Sequence, residues 1–282
     1  MRVVRVAIVA ESFLPEVNGV TNSVLRVLEH LEAEGHDALV VAPGDGPERC
    51  GHARVVRTPA VALPMYRSLP VGLPTSEVRR HLAAFRPDVV HLAAPAVLGA
   101  AGAVAARRLG IPAVAVYQTD LAGFASRYRL GAAAGPIWSW LRWVHRQASL
   151  TLAPSTLAAW DLRRHGIAPV APWGRGVDLD RFHPQHRNEL LRRRLAPKGE
   201  VLVGYVGRLA AEKQVHQLAQ LRGLPGTRLV IVGDGPDRAR LQRRLPEATF
   251  LGFQSGIALS QAVASLDVFV HTGAHETFCQ AV

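Results

Sequence analysis

The sequence predicts an α/β protein built from two doubly wound parallel-sheet domains, the second incomplete. Three observations predict it. Short valine-rich apolar runs alternate with amphipathic stretches, as in a parallel sheet covered on both faces. A proline- and glycine-rich segment without periodicity, "APVAPWGRGVDLDRFHPQH" (168–186), interrupts the alternation. The alternation then restarts. A length of 282 residues accommodates two domains, and 49% hydrophobic with 20% charged residues can supply their cores.

The elements follow in order. "VRVAIVA" (4–10) reads as a buried strand. The helix "TNSVLRVLEHLEAEG" comes next, with Val24, Leu28 and Leu31 at helical spacing and Gly35 as its stop. "DALVVAP" (37–43) is a strand. "VRRHLAAFRPDVVHL" is a helix, a proline break and a strand, and "AVLGAAGAVAARRLGIPAVAVY" and "LTLAPSTLAAWDLRRHGI" repeat the pattern. These make a first domain over 1–173. Residues 174–198 read as an interdomain connection. Over 199–282 strands "VLVGYVGRL", "TRLVIVGDGP", "ATFLGF" and "DVFVHTGA" alternate with helices "EKQVHQLAQLRGL", "DRARLQRRL" and "GIALSQAVASL". Four strands are few for such a domain; at about 100–200 residues each, completion calls for roughly 80–100 more.

Composition excludes several classes. "MRVVRVAIVAESFLP" is not a secretory signal. The longest apolar run, "LAAPAVLGAAGAVAA", falls short of the roughly 20 residues a membrane span needs. Cys50 and Cys279 offer neither a disulfide framework nor zinc spacing. The expectation is a cytoplasmic protein. A net charge of +11 comes mainly from arginines spread over helices. They form no dense tract and accompany no aromatic–basic RNA motif, so a nucleic-acid partner rests on charge alone. Solvated helix faces account for most of them, with attraction to an anionic membrane surface as the remainder.

In doubly wound sheets ligands sit at the carboxyl ends of strands, so those loops carry the chemistry. In "ESFLPEVNGVTNS", Asn18-Gly19 turns the chain sharply before a helix whose free N–H groups suit a phosphate; an ordinary turn capped by Thr21 is the alternative. "VYQTDLAGFASRYRLG" puts Gln118, Thr119 and Asp120 at a strand mouth, to meet a sugar or to cap a helix. His91 ends a strand in "DVVHLAAP" and reads as a structural hydrogen-bond partner. "VGRLAAEK" places Arg208 at a strand end and Lys213 five residues on, two cations able to neutralise a diphosphate without metal, or else a surface pair. In "HETFCQAV", Glu276 could accept sugar hydroxyls, while the N–H groups of Phe278, Cys279 and Gln280 open a helix toward phosphate. "VGDGPDR" lacks dinucleotide spacing and reads as a tight turn; "DLD" (178–180) lacks the further carboxylates a metal would want.

Taken together, "FLPEVNGV", "YQTD", "WGRGVDLDRF", "VGRLAAEK", "LVIVGDGP", "FLGF" and "HETF" resemble, over the whole chain, the retaining glycosyltransferases of family four, with the GT-B fold of two Rossmann-like domains. "YQTD", "WGRGVD" and the "YRSLPVGLP" loop (66–74) are most similar to GDP-mannose-dependent mannosyltransferases that glycosylate lipids. They are also similar to sulfoquinovosyl-diacylglycerol synthases, which use a UDP-sugar. The resemblance implies an N-terminal acceptor domain, a C-terminal nucleotide-sugar domain and a donor site in the crevice between them. It implies catalytic roles for Asp120, Arg208, Lys213 and Glu276. Substrate contacts would come from Asn18, Gly19, Gln118, Thr119, Arg175, Arg208, Lys213, His275, Glu276, Phe278 and Cys279. No metal and no cofactor beyond the nucleotide-sugar substrate is implied. Glu276 matches the first glutamate of the family's E-x7-E signature, whose second would fall at position 284. Cys279 stands where relatives usually place glycine, and "YQTD" where many carry a histidine.

The implied function is transfer of a hexose, mannose first, from a nucleotide sugar to a lipid or glycan. A UDP-sugar enzyme of the same fold and an inactive acceptor- or membrane-binding fragment are the alternatives. Trp138, Trp140 and Trp143 with Arg142 and Arg146 read either as a core helix or as a lipid–water boundary element, which would make the protein peripheral on the inner face of the plasma membrane.

Overall fold

The computed structural model describes residues 2–63, 66–123, 134–174, 176–273 and 277. The chain divides into two compact units, Met1–Gly174 and Arg175–Val282, each with its own sheet and core.

The first unit is built on β1 (Arg5–Ala10), α1 (Gly19–Ala33), β2 (Asp37–Pro43), β3 (Arg49–Cys50), β4 (Ala53–Thr58), β5 (Ala60–Leu63), β6 (Tyr66–Gly72), α2 (Ser76–Phe85), β7 (Val89–Ala93), α3 (Leu98–Arg108), β8 (Ala113–Val116), α4 (Ala134–His145), β9 (Leu150–Ala153), α5 (Thr156–Arg164) and β10 (Val170–Pro172). Eight strands form one sheet in the order β10-β9-β8-β7-β1-β2-β4-β3. Every pairing is parallel except β3 with β4. Strands buried on both faces carry apolar residues at nearly every position, which is why β1 and β2 show no alternation. One face packs Ala7, Val9, Leu39, Val41, Val90 and Leu92 with Leu82 and Leu98 from helices. The other packs Ile8, Ala10, Val40 and Ala42 under Val24 and Leu28 of α1. Each leucine buried in this way contributes about 1.5–3 kcal/mol.

The second unit begins with a 3-10 turn (Pro184–His186) and α6 (Glu189–Leu195), followed by β11 (Val201–Val206), 3-10 turns at Ala211–Lys213 and Val215–Leu221, β12 (Thr227–Val232), α7 (Arg238–Arg244), β13 (Thr249–Gly252), α8 (Gly256–Ala264) and β14 (Val268–Phe269). Its four strands are all parallel, in the order β13-β12-β11-β14. Asp267 fastens the entry segment to the sheet. It accepts the Leu202 N–H at 2.8 Å and pairs with Arg192 at 3.0 Å and Arg187 at 3.2 Å. Against the opposing pull of burial, these partners hold its carboxyl below the usual range.

Three sequence readings change. The stretch 174–198 is more than a connection: α6 lies inside it and buries Leu195 and Ala196 in the second core. Seven residues are too few to display helical periodicity. "EKQVHQLAQLRGL" forms two 3-10 turns separated by Gln214 at φ 51, not an α-helix. "YRSLPVGLP" contributes β6, antiparallel to β5 in a separate hairpin, although Pro70 and Gly72 read as loop residues.

Candidate functional site

Each of the two larger sheets has one topological switch point. In the first unit the strand order reverses between β1 and β7; in the second, between β11 and β14. The crevice at the carboxyl ends of such a strand pair is where open α/β sheets bind ligands. The loops that the sequence singled out leave these strands or their direct neighbours.

After β1, Asn18 is the N-cap of α1. Its Oδ1 accepts the Val20 and Thr21 N–H groups at 3.0 and 3.1 Å, and its Nδ2 donates to Ser12 Oγ at 2.7 Å. The cap is therefore Asn18 and not Thr21, whose hydroxyl donates instead to the Glu16 carbonyl at 2.8 Å. Gly19 opens the helix, and a Cβ built on it meets nothing within 4 Å. The positive end of α1 is thus ordered by a side chain and open beside its first residue.

Beside it, on β7's side of the switch, lies a residue the sequence reading passed over. Glu11 is half-buried, its carboxylate turned inward, and accepts the N–H groups of Ala96, Val97, Leu98 and Gly99, which run from the entry turn into the start of α3. Burial pushes its carboxyl up, and the four N–H groups oppose that shift. The available signal was an acid placed immediately after a buried strand.

After β8, Asp120 Oδ1 accepts the Gly123 N–H at 2.8 Å and the Tyr117 hydroxyl at 3.3 Å. Burial, then the neighbouring Asp120, push the Tyr117 phenol up. This is the helix-capping alternative for Asp120, realised within its own loop; Gln118 and Thr119 are half-buried beside it. His91 lies edge-on to Trp173 with centroids 6.1 Å apart, and its Nε2 is sealed from solvent. Burial lowers its pKa to about 4. His145 is 3% exposed, shares a 2.9 Å hydrogen bond with Thr151 Oγ1 and is likewise lowered by burial to about 4. His145 is thus a structural hydrogen-bond partner, whereas the Nε2 of His91 has no hydrogen-bond partner among the described residues, and that residue packs against Trp173 without the bond the sequence suggested.

In the second unit, Arg208 and Lys213 follow β11. Tyr205 donates its hydroxyl to the Arg208 carbonyl at 3.1 Å, and Leu209 N–H donates to the Asp234 carbonyl at 2.9 Å. The "VGDGP" glycines do more than turn the chain. Gly233 has φ +136, and a Cβ there would lie 1.9 Å from the Gly207 carbonyl oxygen; on Gly235 (φ +155) it would lie 2.4 Å from that of Leu209. Backbone meets backbone on both sides of Arg208. Thr272, after β14, donates to the Lys213 carbonyl at 2.7 Å. The structure thereby brings the segment leading toward Glu276 against the lysine turn, a tie no sequence spacing announces.

Arg175, His275, Glu276, Phe278 and Cys279 lie outside the described residues. In "DLD", Asp178 Oδ1 accepts the Arg181 N–H at 3.0 Å, an ordinary turn contact. Among the described residues no group of three His, Cys, Asp or Glu could hold a metal ion, and no helix is long and apolar enough to cross a membrane. Of the tryptophans, Trp138 packs inward, stacked on His165 at 3.7 Å, whereas Trp140 and Trp143 are 43% and 44% exposed and stacked at 4.9 Å.

Residues 17–181 match the family model for Glycosyltransferase Family 4, and residues 186–282 that for Glycosyl transferases group 1. A GDP-mannose-dependent alpha-mannosyltransferase of Mycobacterium tuberculosis is 56% identical, covering 99% of this chain and 75% of its own. One from Corynebacterium glutamicum is 54% identical, covering 100% and 70%. The sulfoquinovosyl transferase SQD2 of Arabidopsis thaliana is 34% identical, over 93% and 53%. Among solved structures, Anabaena Alr3699/HepE in complex with UDP and glucose superimposes with a TM-score of 0.73 at 19% identity, covering 99% of this chain and 77% of that one. That likeness speaks to fold alone.

Proposed function

The chain belongs to glycosyltransferase family 4, with the GT-B fold, and from that premise we propose that it transfers mannose from GDP-mannose to a lipid or glycan acceptor with retention of configuration. The observation that carries the donor is the identity of 54–56% with mannosyltransferases named for GDP-mannose, against 34% with the sulfoquinovosyl enzyme.

The chemistry follows from charge. Heterolysis of the anomeric C–O bond leaves an oxocarbenium-like sugar and a nucleoside diphosphate anion. Cations and N–H groups fixed in advance stabilise that anion without reorganising. Arg208 and Lys213 supply the cations in this reading, and the open α1 N-terminus at Gly19 receives a phosphate. Glu276 and His275 bind donor hydroxyls, and Phe278 and Cys279 offer N–H groups to phosphate; Arg175, Gln118, Thr119 and Asp120 complete the substrate contacts. The acceptor hydroxyl attacks from the face the diphosphate leaves, and its proton passes to the departing phosphate oxygen. In this reading the two cations take the part that a divalent metal would otherwise play.

Gly19→Ala separates function from folding. The position has room for a methyl group inside the protein, so the variant unfolds like the parent. The same methyl obstructs a phosphate drawn to the helix end. The expected result is a rise of about tenfold or more in KM for GDP-mannose, with the thermal midpoint unchanged. Calorimetry of the parent with GDP and UDP tests the donor; tighter binding of UDP would overturn the GDP-mannose reading.

The acceptor side carries a membrane proposal. Trp140 and Trp143 are exposed together, and over residues 89–160 Asp120 is the lone acid among Arg107, Arg108, Arg127, Arg129, Arg142 and Arg146. Stacked indoles with arginines suit an anionic lipid surface. The protein is expected to sediment with vesicles containing phosphatidylglycerol and not with neutral ones. Trp140→Ser/Trp143→Ser abolishes this; equal sedimentation with both lipids rejects the proposal.

A further inference from the structure

The switch point of the first sheet holds an anion seat that the chain fills with its own side chain. Glu11 Oε1 accepts the Ala96, Val97 and Gly99 N–H groups at 2.7, 2.8 and 2.7 Å, and Oε2 accepts that of Leu98 at 3.2 Å. Leu98 and Gly99 are the first two residues of the eleven-residue helix, whose opening N–H groups have no intrahelical partners, Val97 is its N-cap and Ala96 precedes it. Gly99 makes the approach possible: a Cβ there would stand 3.2 Å from Oε1 and 2.7 Å from Pro95 Cβ. Two residues before the seat's first N–H, Ala94 sits at φ 55, a left-handed conformation costly for alanine, so the turn into α3 depends on contacts that hold it.

The seat is linked on both sides. Ala96, whose N–H donates to Glu11, also accepts the Trp140 indole N–H at its carbonyl, 2.8 Å away. On the other side Glu11 precedes Ser12, whose hydroxyl takes the Asn18 amide, and Asn18 in turn caps α1 beside Gly19. One chain of hydrogen bonds and two adjacent residues therefore runs from α4 through the α3 turn to the start of α1.

We propose that Glu11 is a positioning residue for glycosyl transfer: its carboxylate occupies the α3 anion seat and thereby fixes the β1–α1 loop, and with it the α1 N-terminus that receives the donor phosphate. The proposal rests on the reading of Gly19 given above. On that reading a phosphate would go to α1 and not to α3, where Glu11 already occupies the Leu98 and Gly99 N–H groups.

The test is chemical rescue in the full-length protein. Glu11→Ala opens a carboxylate-sized space lined by four N–H groups. Its KM for GDP-mannose is expected to rise about tenfold or more with a smaller change in kcat. Acetate or formate should restore KM saturably, and chloride at equal ionic strength should not. Glu11→Gln fills the space, keeps an oxygen for the Ala96, Val97 and Gly99 N–H groups and turns its amide N–H₂ only toward that of Leu98, so it should show a smaller KM defect and no rescue. A second reading does not need turnover: acetate should raise the thermal midpoint of Glu11→Ala and leave that of Glu11→Gln unmoved. If Glu11→Ala retains the parental KM, or if its midpoint ignores acetate, the proposal is overturned. Failure of the parent to bind GDP would sink the functional reading instead, while the midpoint experiment would still report on the seat.

Discussion

Alanine in place of Lys213 lowers mannosyl transfer from GDP-mannose by about 10²–10³-fold in kcat, the usual loss when one fixed stabiliser of a developing anion is removed. Arg208→Ala has an effect of the same order, and the double variant falls short of the product because both act on one leaving group. The defect lies in kcat more than in KM, since the diphosphate gains negative charge as the anomeric bond breaks. Lys213→Arg recovers only part of the rate: a planar guanidinium cannot reproduce a point charge on a flexible stem. The backbone around both cations is held independently of their side chains, by Thr272 at the Lys213 carbonyl and Tyr205 at the Arg208 carbonyl. The variants therefore fold, and steady-state kinetics with the released GDP as readout decides the matter. Unchanged kcat in both would remove these residues from the mechanism.

Acidification destabilises the first unit steeply. His91 and His145 are held neutral by burial, with pKa values near 4 against about 6.5 in an unfolded chain. Between those values the unfolded chain binds protons that the folded one refuses, so stability falls as pH falls. It is complete above about pH 6.5 and drains away toward pH 4. A displacement of this size corresponds to roughly 3 kcal/mol for His145, and to less for His91, which is only half-buried. Most domains have only about 5–15 kcal/mol to lose. Urea unfolding at pH 7, 5.5 and 4 should show the loss, and His145→Gln should flatten more than half of it while keeping a partner for Thr151. A stability independent of pH across that range contradicts the assignment.

Most strands were legible because buried parallel strands announce themselves: "VRVAIVA", "DALVVAP" and "TRLVIV" are apolar at nearly every position. The short edge elements were not. β3 has two residues, and β6 contains a proline that argues against any strand until its hairpin partner is known. Asn18, Gly19, Arg208 and Lys213 could be singled out as candidates because each follows a strand that the sequence marks plainly. Glu11 could not be weighed: four N–H groups reach it from residues more than eighty positions away. For the same reason "VGDGP" read only as a tight turn. Its glycines answer to the carbonyls of Gly207 and Leu209, a tertiary contact that no local pattern encodes.

That contact divides the second unit into parts that sequence change can edit and parts it cannot. No side chain of any kind fits where Gly233 meets Gly207, so the peptide path that carries Arg208 is closed to mutation by geometry. Drift toward another donor base or sugar must then proceed through the residues hung on that frame, one exchange at a time, while the frame stays fixed.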